Sequence, residues 1–281
     1  MNHHRTLFII MMSFMMLNSS YLSAQETEYF PNGDPDQWQV SLTPYLWLPW
    51  ISGEMESSWI EKEFNVPDSD ILKNLKMAFM INAEVSKGEF FASPGWVYTK
   101  LGTEKLIKEG PQGNNSISAE PELKMNIVTF IAGMHSYLDD KFILDPYLGF
   151  RYNNFKTTID VSGIADTTSI EEKATFWDPV LGLRALYFPH PRVPVMMRFD
   201  VGGFGAGSDF SWTALINGGY SVSPTVDLTL GFTAYGTDFS GETKTGSIAG
   251  LNMVMYGINM GAKFYLPTRY KDPTVFKKSK K

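Results

Sequence analysis

The stretch Leu251–Leu266, LNMVMYGINMGAKFYL, decides the fold because it alternates from end to end. One face carries mostly large apolar or aromatic residues, whereas the residues between them are mostly small or polar. Successive side chains of a strand point to opposite sides, so this pattern predicts a strand with one apolar and one polar face. Several other stretches repeat it over about ten residues, the length of a tilted strand that crosses a bilayer. The sequence therefore predicts an all-β, transmembrane antiparallel β-barrel.

The N-terminal residues 1–24 have the pattern of a secretory signal peptide. A basic start is followed by the apolar run Leu7–Leu17 and by the small residues Ser23 and Ala24. A membrane anchor would need roughly 20 apolar residues, more than this run provides. We therefore expect cleavage after Ala24 and export to the outer membrane of a bacterium. The expected organisation is a signal peptide (1–24), a periplasmic lead-in (25–37), the barrel (38–266) and a basic tail (267–281).

Composition limits the possible functions and partners. The chain has no cysteine, which excludes a disulfide scaffold. Its mean hydropathy of -0.14 excludes a helical membrane protein. Its formal net charge of -6 gives no reason to expect nucleic-acid binding. Aromatic residues make up 14% of the chain, which suits interfacial girdles. We expect a monomer without cofactor or metal whose partners are outer-membrane lipids, lipopolysaccharide and the barrel assembly machinery. Lys105 and Lys108 could meet lipopolysaccharide phosphates, although ordinary solvation is the favoured interpretation.

The spacing of turns indicates the topology. Short turns near 87–89, 139–141, 189–192 and 223–224 alternate with connections that are mostly longer and polar. Outer-membrane barrels have short periplasmic turns and longer external loops, so both termini should be periplasmic and the strand number even. A weak pair of strands near 52–66 gives twelve strands if it is counted and ten if it is an external hairpin; we favour twelve. A short helical turn is predicted near residues 70–75, in the barrel mouth or as a plug.

Charged residues on the predicted inner face are the candidate functional site. Four are acidic and four are basic: Glu84, Asp178, Asp200, Asp227, Arg151, Arg184, Arg198 and Lys263. Charges inside a narrow barrel are costly unless they are paired, so we expect an internal salt-bridge network that fills the lumen. A constriction that selects charged solutes is the alternative. The balance of signs argues against strong selectivity.

Few residues could support catalysis. After removal of the signal peptide only His135 and His190 remain as histidine bases, and His190 lies between two prolines. His135 and Ser136 are neighbours on a strand and face opposite sides, so they cannot pair directly. The glycine run Gly202–Gly207 lacks the lysine of a phosphate-binding loop and predicts a bulge or a close backbone approach. We therefore expect no enzyme; the alternatives are a lipid-modifying or proteolytic barrel hydrolase that uses His135, and a soluble periplasmic β-protein.

Four segments resemble a poorly characterised family of Gram-negative outer-membrane β-barrel proteins. They are Asp200–Trp212 (DVGGFGAGSDFSW), Ser41–Pro49 (SLTPYLWLP), Ser69–Leu75 (SDILKNL) and Asp178–Arg184 (DPVLGLR). The resemblance covers roughly residues 38–266 and implies the barrel fold, but it implies no reaction or ligand. The most concrete function that we predict is therefore a structural or passive small-solute channel role, with a charge-paired lumen.

The end of the last strand also resembles a known signal. Asn259, Gly261, Phe264 and Leu266 resemble the last-strand pattern that the barrel assembly machinery reads in outer-membrane proteins. Many such proteins stop at the terminal aromatic residue, whereas this chain continues through residues 267–281. The resemblance implies an assembly role for these four residues.

Overall fold

The structure, a computed structural model, describes residues 38–266 except 58–60, 103–105, 110–115, 140, 163–166, 191 and 242–247. The expected signal peptide, lead-in and basic tail lie outside the described residues, as do Lys105 and the side chain of Lys108.

The described residues form thirteen strands and one short helix. In chain order they are β1 (Gln39–Ser57), β2 (Glu61–Val66), α1 (Asp68–Asn74), β3 (Leu75–Lys87), β4 (Phe90–Gly102), β5 (Leu106–Glu109), β6 (Ser116–Met134), β7 (Ser136–Asp139), β8 (Phe142–Ser162), β9 (Thr167–His190), β10 (Val193–Gly203), β11 (Phe210–Ser223), β12 (Val226–Ser240) and β13 (Ile248–Leu266).

Ten of these strands form a closed antiparallel barrel, as the alternation predicts. Their order around the barrel is β1-β3-β4-β6-β8-β9-β10-β11-β12-β13, and β13 pairs with β1 to close it. This last pairing runs from Val40 opposite Leu266 to Ser57 opposite Ile248. Closure leaves no sheet edge exposed among the ten strands, which a barrel in lipid requires.

The structure decides between the two predicted strand numbers in favour of ten. Residues 52–57, which the count of twelve treats as a separate strand, continue β1 and pair with β13 on one side and β2 on the other. Within the described part of the chain, β2 pairs with β1 alone. It therefore forms a hairpin outside the barrel, and the count of twelve is wrong. β5 likewise adds only to β6, and β7 continues the line of β6 beyond His135.

The two ends of the barrel differ. Short connections, such as Gly88–Glu89 and Pro224–Thr225, join strands at the end that we call the turn end. The opposite loop end carries longer segments, including β2, α1 and the turn Phe204–Asp209. Gln39 and Leu266 both lie at the turn end, which matches the expected topology. Among the described residues, no helix has the length and apolar character that a membrane-spanning helix requires.

The outer face of the barrel is apolar. Large side chains such as Leu148, Leu230 and Ile258 are 64%, 61% and 52% exposed, and they alternate with buried or partly buried neighbours. Water-soluble proteins rarely expose so continuous an apolar surface, whereas lipid covers it on a transmembrane barrel. The outward and inward faces of β13 are those that its alternation predicts.

An aromatic row crosses four adjacent strands on this outer face. Trp96, Val128, Tyr152 and Trp177 lie opposite one another in register on β4, β6, β8 and β9. The Tyr152 and Trp177 rings are 4.8 Å apart between centroids, and Phe79 meets Trp96 edge-on at 4.9 Å. Aromatic residues of this kind concentrate at membrane–water interfaces. We call these three aromatic residues and Val128 the aromatic row.

Helix α1 is the short helix that was predicted near residues 70–75. It begins after Pro67, whose carbonyl oxygen accepts from the backbone N–H groups of Asp70 and Ile71 at 3.0 and 3.1 Å. Ile71 is only 2% exposed and packs into the barrel mouth, whereas Leu72 remains exposed. Of the two positions considered for the helix, the structure shows the mouth.

Candidate functional site: the barrel lumen

The interior of the barrel has two chemically different halves. Many polar and charged side chains line the half near the turn end, and mainly apolar side chains fill the half near the loop end, where buried Glu172 and Thr99 also lie. The division follows from the inward residues of each strand. On β13, for example, Met253 and Met255 face the loop-end half, whereas Asn259 and Lys263 face the polar half.

An ion-pair cluster near the turn end links opposite walls of the barrel. Arg184 of β9 contacts Glu84 of β3 across the lumen, and its Nε donates to Asp145 Oδ2 at 2.8 Å. Asp145 Oδ1 lies 3.0 Å from His135 Nδ1, and Lys263 Nζ lies 3.8 Å from Glu84. Arg184 and Asp145 are 3% and 0% exposed, so each is buried with a charged partner. Such pairing compensates part of the cost of removing the charges from water.

A second cluster lies deeper in the lumen and centres on Asp200. This carboxylate accepts from Arg151 and, at 2.9 Å, from the Tyr147 hydroxyl, while Arg198 Nε lies 3.6 Å away. Arg151 also donates to Thr213 Oγ1 at 2.7 Å. Arg151 is 2% exposed and Asp200 is fully buried. The cluster therefore joins β8, β10 and β11 through a buried charge pair that is supported by further hydrogen bonds from Tyr147 and to Thr213.

Asp178 belongs to a third arrangement, in which its partners are neutral. The backbone N–H and the hydroxyl of Ser208 donate to Asp178 Oδ1 at 2.7 and 2.9 Å. Asn153 Nδ2 donates to the other oxygen at 3.3 Å, and Asn153 Oδ1 accepts from the Tyr235 hydroxyl at 3.0 Å. Hydrogen bonds to an ionised carboxylate are strong in a buried setting. This arrangement ties the turn between β10 and β11 to the barrel wall.

The glycine run lies in that turn. Gly203, Phe204 and Gly205 have positive φ angles of 86°, 53° and 74°, a region that glycine tolerates. A Cβ on Gly207 would overlap the carbonyl oxygen of Trp177. The prediction of a close backbone approach for this run therefore agrees with the structure.

Two of the resembling segments meet at these clusters. Asp200–Trp212 supplies Asp200, the Ser208 that holds Asp178, and Ser211, whose hydroxyl lies 3.4 Å from Arg151 Nη1. Asp178–Arg184 supplies the residues at its two ends. The two segments are therefore spatial neighbours whose polar residues bond to one another or to the same arginines.

The eight predicted lumen residues separate into groups. Glu84, Arg184 and Lys263 lie together, as do Arg151, Arg198 and Asp200, whereas Asp178 is bonded to neutral groups. Asp227 accepts from the Tyr265 hydroxyl at 2.6 Å and lies opposite Lys263 in register.

Sequence reasoning missed Asp145, which is fully buried and contacts both Arg184 and His135. It lies one alternation step before Tyr147, on the inward side of β8, and is followed by Pro146, a residue type that is uncommon inside strands. Extending the alternation backward past the proline would have found it. The neutral partners Tyr147 and Tyr235 carry no comparable sequence signal.

The loop-end half of the lumen is closed by an apolar cluster. Its buried members come from eight of the ten barrel strands and from α1: Trp47, Ile51, Ile71, Met80, Leu101, Met125, Ile127, Phe155, Ala174, Phe176, Tyr235, Ile248, Leu251, Met253 and Met255. Ile51 and Met255 are completely buried. β10 and β11 contribute no buried member, because β10 ends at Gly203 and β11 begins at Phe210, nearer the turn end than the ends of the other strands. The turn between them, which carries buried Ser208, lies at this place. We call this set the apolar plug.

A cavity of about 260 Å³ occupies the polar half. Its lining includes Trp47 and Ile127 at the apolar plug and reaches Lys87 and Gly88 in the turn between β3 and β4. The cavity is therefore a pocket that extends to the turn end and ends at the apolar plug. Its volume is slightly below the usual range for ligand pockets, about 300–1,000 Å³.

The proposed assembly residues lie where β13 closes the barrel. Phe264 and Leu266 point outward and are 40% and 47% exposed. Asn259 points inward and donates to Thr233 Oγ1 at 2.9 Å, and a Cβ on Gly261 would meet the Pro44 carbonyl oxygen at 2.7 Å. Contacts inside the barrel and between neighbouring strands thus explain why Asn259 is polar and Gly261 is small. The assembly role stays a prediction.

Solved structures share the barrel fold. The chain is similar to the outer membrane protease OmpT of Escherichia coli, with 12% identity and a TM-score of 0.55 over 83% of this chain and 97% of that one. It also matches Ail, the attachment invasion locus protein of Yersinia pestis, at 10% identity and a TM-score of 0.34, covering 82% of this chain and 99% of Ail. Of these two, only OmpT has a TM-score that supports an argument, and its low identity supports the fold alone.

No family model and no curated protein matches the chain. The resemblance of the four segments to a particular family of outer-membrane barrels therefore stays a prediction. The barrel class itself is established by the closed ten-strand sheet.

Proposed function

We propose that the chain is a bacterial outer-membrane β-barrel with a structural role, a closed lumen and no catalytic activity. The apolar outer face, the aromatic row and the fold shared with OmpT support the membrane location. The turn end faces the periplasm and the loop end faces the outside, as in outer-membrane barrels generally.

The apolar plug is the observation that carries the closed lumen. Ions cross a membrane through polar or water-filled paths. A tightly packed apolar segment offers neither kind of path, so it blocks ions. Side chains from eight strands and α1 meet in this segment, with Ile51 and Met255 fully buried. The charged side chains below it are bonded to opposite charges or, for Asp178 and Asp227, to neutral hydrogen-bond donors. This arrangement supports a packing role for them and argues against a selectivity filter.

The polar pocket favours passive small-solute passage as a second candidate function. It would supply the periplasmic half of a pathway, because it extends to the turn end. A solute would then need the apolar plug to open. Balanced charges in the pocket, with Arg184 between Glu84 and Asp145, would give such a path little preference for either sign.

The absence of catalysis is supported by the surroundings of His135. This side chain contacts Asp145 and stacks on Phe91, with 5.2 Å between ring centroids. Asp145 is itself bonded to Arg184, so the pair is part of the ion-pair cluster. We therefore assign His135 a positioning role, and the hydrolase alternative is not favoured. If a lipase or peptidase activity were found, its loss in His135→Ala would contradict this assignment.

Single-channel recording tests the proposal. The mature chain is refolded, shown to be folded by heat-modifiable gel mobility, and inserted into a planar bilayer. The proposal predicts no stable conductance steps. As a matched control, Met255→Gly with Phe176→Gly removes two large side chains from the apolar plug and should raise the frequency of openings if the variant folds. Stable, discrete steps from the folded wild-type chain would contradict the closed lumen and support the channel function.

A further inference from the structure

Four lysines form a row across four adjacent strands on the outer face of the barrel. Lys100 of β4 lies opposite Lys124 of β6, which lies opposite Lys156 of β8, which lies opposite Lys173 of β9. All four point outward, because the inward residues beside them include buried Met125, Phe155 and Ala174. We call these four residues the lysine row.

Such a row is electrostatically unfavourable on its own. Like charges directly opposite each other on neighbouring strands destabilise a sheet, and three successive pairs do so here. Glu122 lies 3.0 Å from Lys100 and 2.9 Å from Lys124, and Glu171 lies 2.6 Å from Lys156. The two glutamates thus offset half of the charge in the row.

Other charges nearby do not remove the excess. Lys76 adds a further positive charge, with its Nζ 3.5 Å from the same Glu122. Asp160 lies beyond the row toward the loop end and accepts from Ser169. Among the side chains that the structure describes here, five lysines therefore face three carboxylates. An anion from outside the chain would balance the positive charge that remains within this described set.

The height of the lysine row on the barrel indicates where that anion lies. The row is four residues farther along each strand than the aromatic row, toward the loop end. At about 3.3 Å per residue and with the usual barrel tilt, this is a rise of about 10 Å. The aromatic row marks the membrane interface, so the lysine row lies at the level of the outer lipid headgroups.

We propose that the lysine row is a binding site for the phosphate groups of outer-leaflet lipids, as found on lipopolysaccharide. The proposal rests on the orientation given under the proposed function, with the loop end outside. Three strand spacings of about 4.8 Å give the row a length of about 14 Å, enough to contact more than one phosphate. Lysine ammonium groups bind phosphate as compact charges. This site differs from the loop residues Lys105 and Lys108 that the sequence suggested.

The test compares lipid binding by matched variants. The triple variant Lys124→Gln, Lys156→Gln and Lys173→Gln removes most of the lysine row while retaining long polar side chains. The control Lys73→Gln with Lys87→Gln removes two exposed lysines, one from α1 and one from the turn end. Each folded protein in zwitterionic detergent is titrated with lipopolysaccharide, with phosphatidylcholine and with inorganic pyrophosphate, and the melting temperature is followed.

The wild type and the control should be stabilised by lipopolysaccharide and not by phosphatidylcholine. Each lysine near an anionic membrane surface contributes roughly fivefold to binding, so the triple variant should bind lipopolysaccharide about 100-fold more weakly. Without added lipid it should melt no lower than wild type, because the repulsion within the row is reduced. A purely structural role for these lysines would instead lower the melting temperature in every condition.

Two results would overturn the proposal. One is equal lipopolysaccharide affinity for the triple variant and the wild type. The other is stabilisation by pyrophosphate as strong as that by lipopolysaccharide, which would indicate a site for free polyanions. Neither result depends on conductance, so failure of this site and failure of the closed lumen are distinguishable.

Discussion

Removal of the Asp200 carboxylate should destabilise the barrel strongly. Asp200 is fully buried and balances Arg151, which is 2% exposed. In Asp200→Ala, the Arg151 guanidinium keeps the hydroxyl groups of Thr213 and Ser211 and the Tyr235 ring as neutral partners. Breaking a buried pair by removing one partner costs about 3–5 kcal/mol, which is a factor of about 150 to 5,000 in the unfolding equilibrium.

The assay is urea-driven unfolding in phosphatidylcholine vesicles, followed by tryptophan fluorescence. A double-mutant cycle with Arg151→Met separates the charge pair from packing, because the double variant no longer leaves a buried charge uncompensated. We expect the two changes to couple by about 0.5–3 kcal/mol, so that the double variant is less destabilised than the sum of the single variants. Asp238→Ala, an exposed aspartate at the loop end, is the matched control and should lie within about 0.5 kcal/mol of wild type.

The reasoning would be refuted by a small effect. An Asp200→Ala cost of less than about 1 kcal/mol would mean that leaving Arg151 buried without its charged partner carries no large penalty. The buried cluster would then not be a stabilising network of the expected size. Strict additivity in the cycle would equally contradict a direct interaction between Arg151 and Asp200.

Two further predictions concern the turn and the lipid face. Gly207→Ala places a Cβ against a backbone carbonyl oxygen and should cost about 1–3 kcal/mol or more. Gly218→Ala, where the added Cβ meets only the Leu230 carbonyl oxygen at 3.9 Å, should be neutral or slightly stabilising. Urea unfolding of both variants checks this, and equal costs would contradict the packed turn. Ile258→Arg, at mid-height on the outer face, should cost about 2–4 kcal/mol in a bilayer, whereas Leu266→Arg near the turn end should cost about 0–1. Folding titrations in vesicles measure that difference, and its absence would argue against a lipid-facing surface.

The alternation of side chains made the barrel predictable. On β13 it identified both the lipid-facing Ile258 and the inward Lys263, because the period of a strand is fixed by its geometry. The strand number was harder, since a hairpin outside the barrel and two barrel strands have the same local pattern. The strand number is decided by strand pairing: among the described residues, β2 pairs with β1 and with no other strand.

The site was predictable in part for the same reason. Alternation indicates which charged residues face inward, but it does not indicate which wall faces which. The contact between Glu84 and Arg184 joins residues separated by 100 positions in the chain. The apolar plug was not predicted at all, because inward apolar residues such as Met255 and Phe176 break the simple rule of a polar lumen. Asp145 was missed because a proline follows it.

The division of the lumen into a wet half and a dry half is tested most directly by thiol reactivity. The chain has no cysteine, so single-cysteine variants report on one position each. Thr43→Cys lies in the polar pocket, and Met255→Cys lies at the centre of the apolar plug. With a small, water-soluble maleimide and the folded barrel in vesicles, intact-mass measurement should show rapid labelling of Thr43→Cys and essentially none of Met255→Cys. Equal labelling rates at the two positions would mean that water passes through the apolar plug and would contradict a closed lumen.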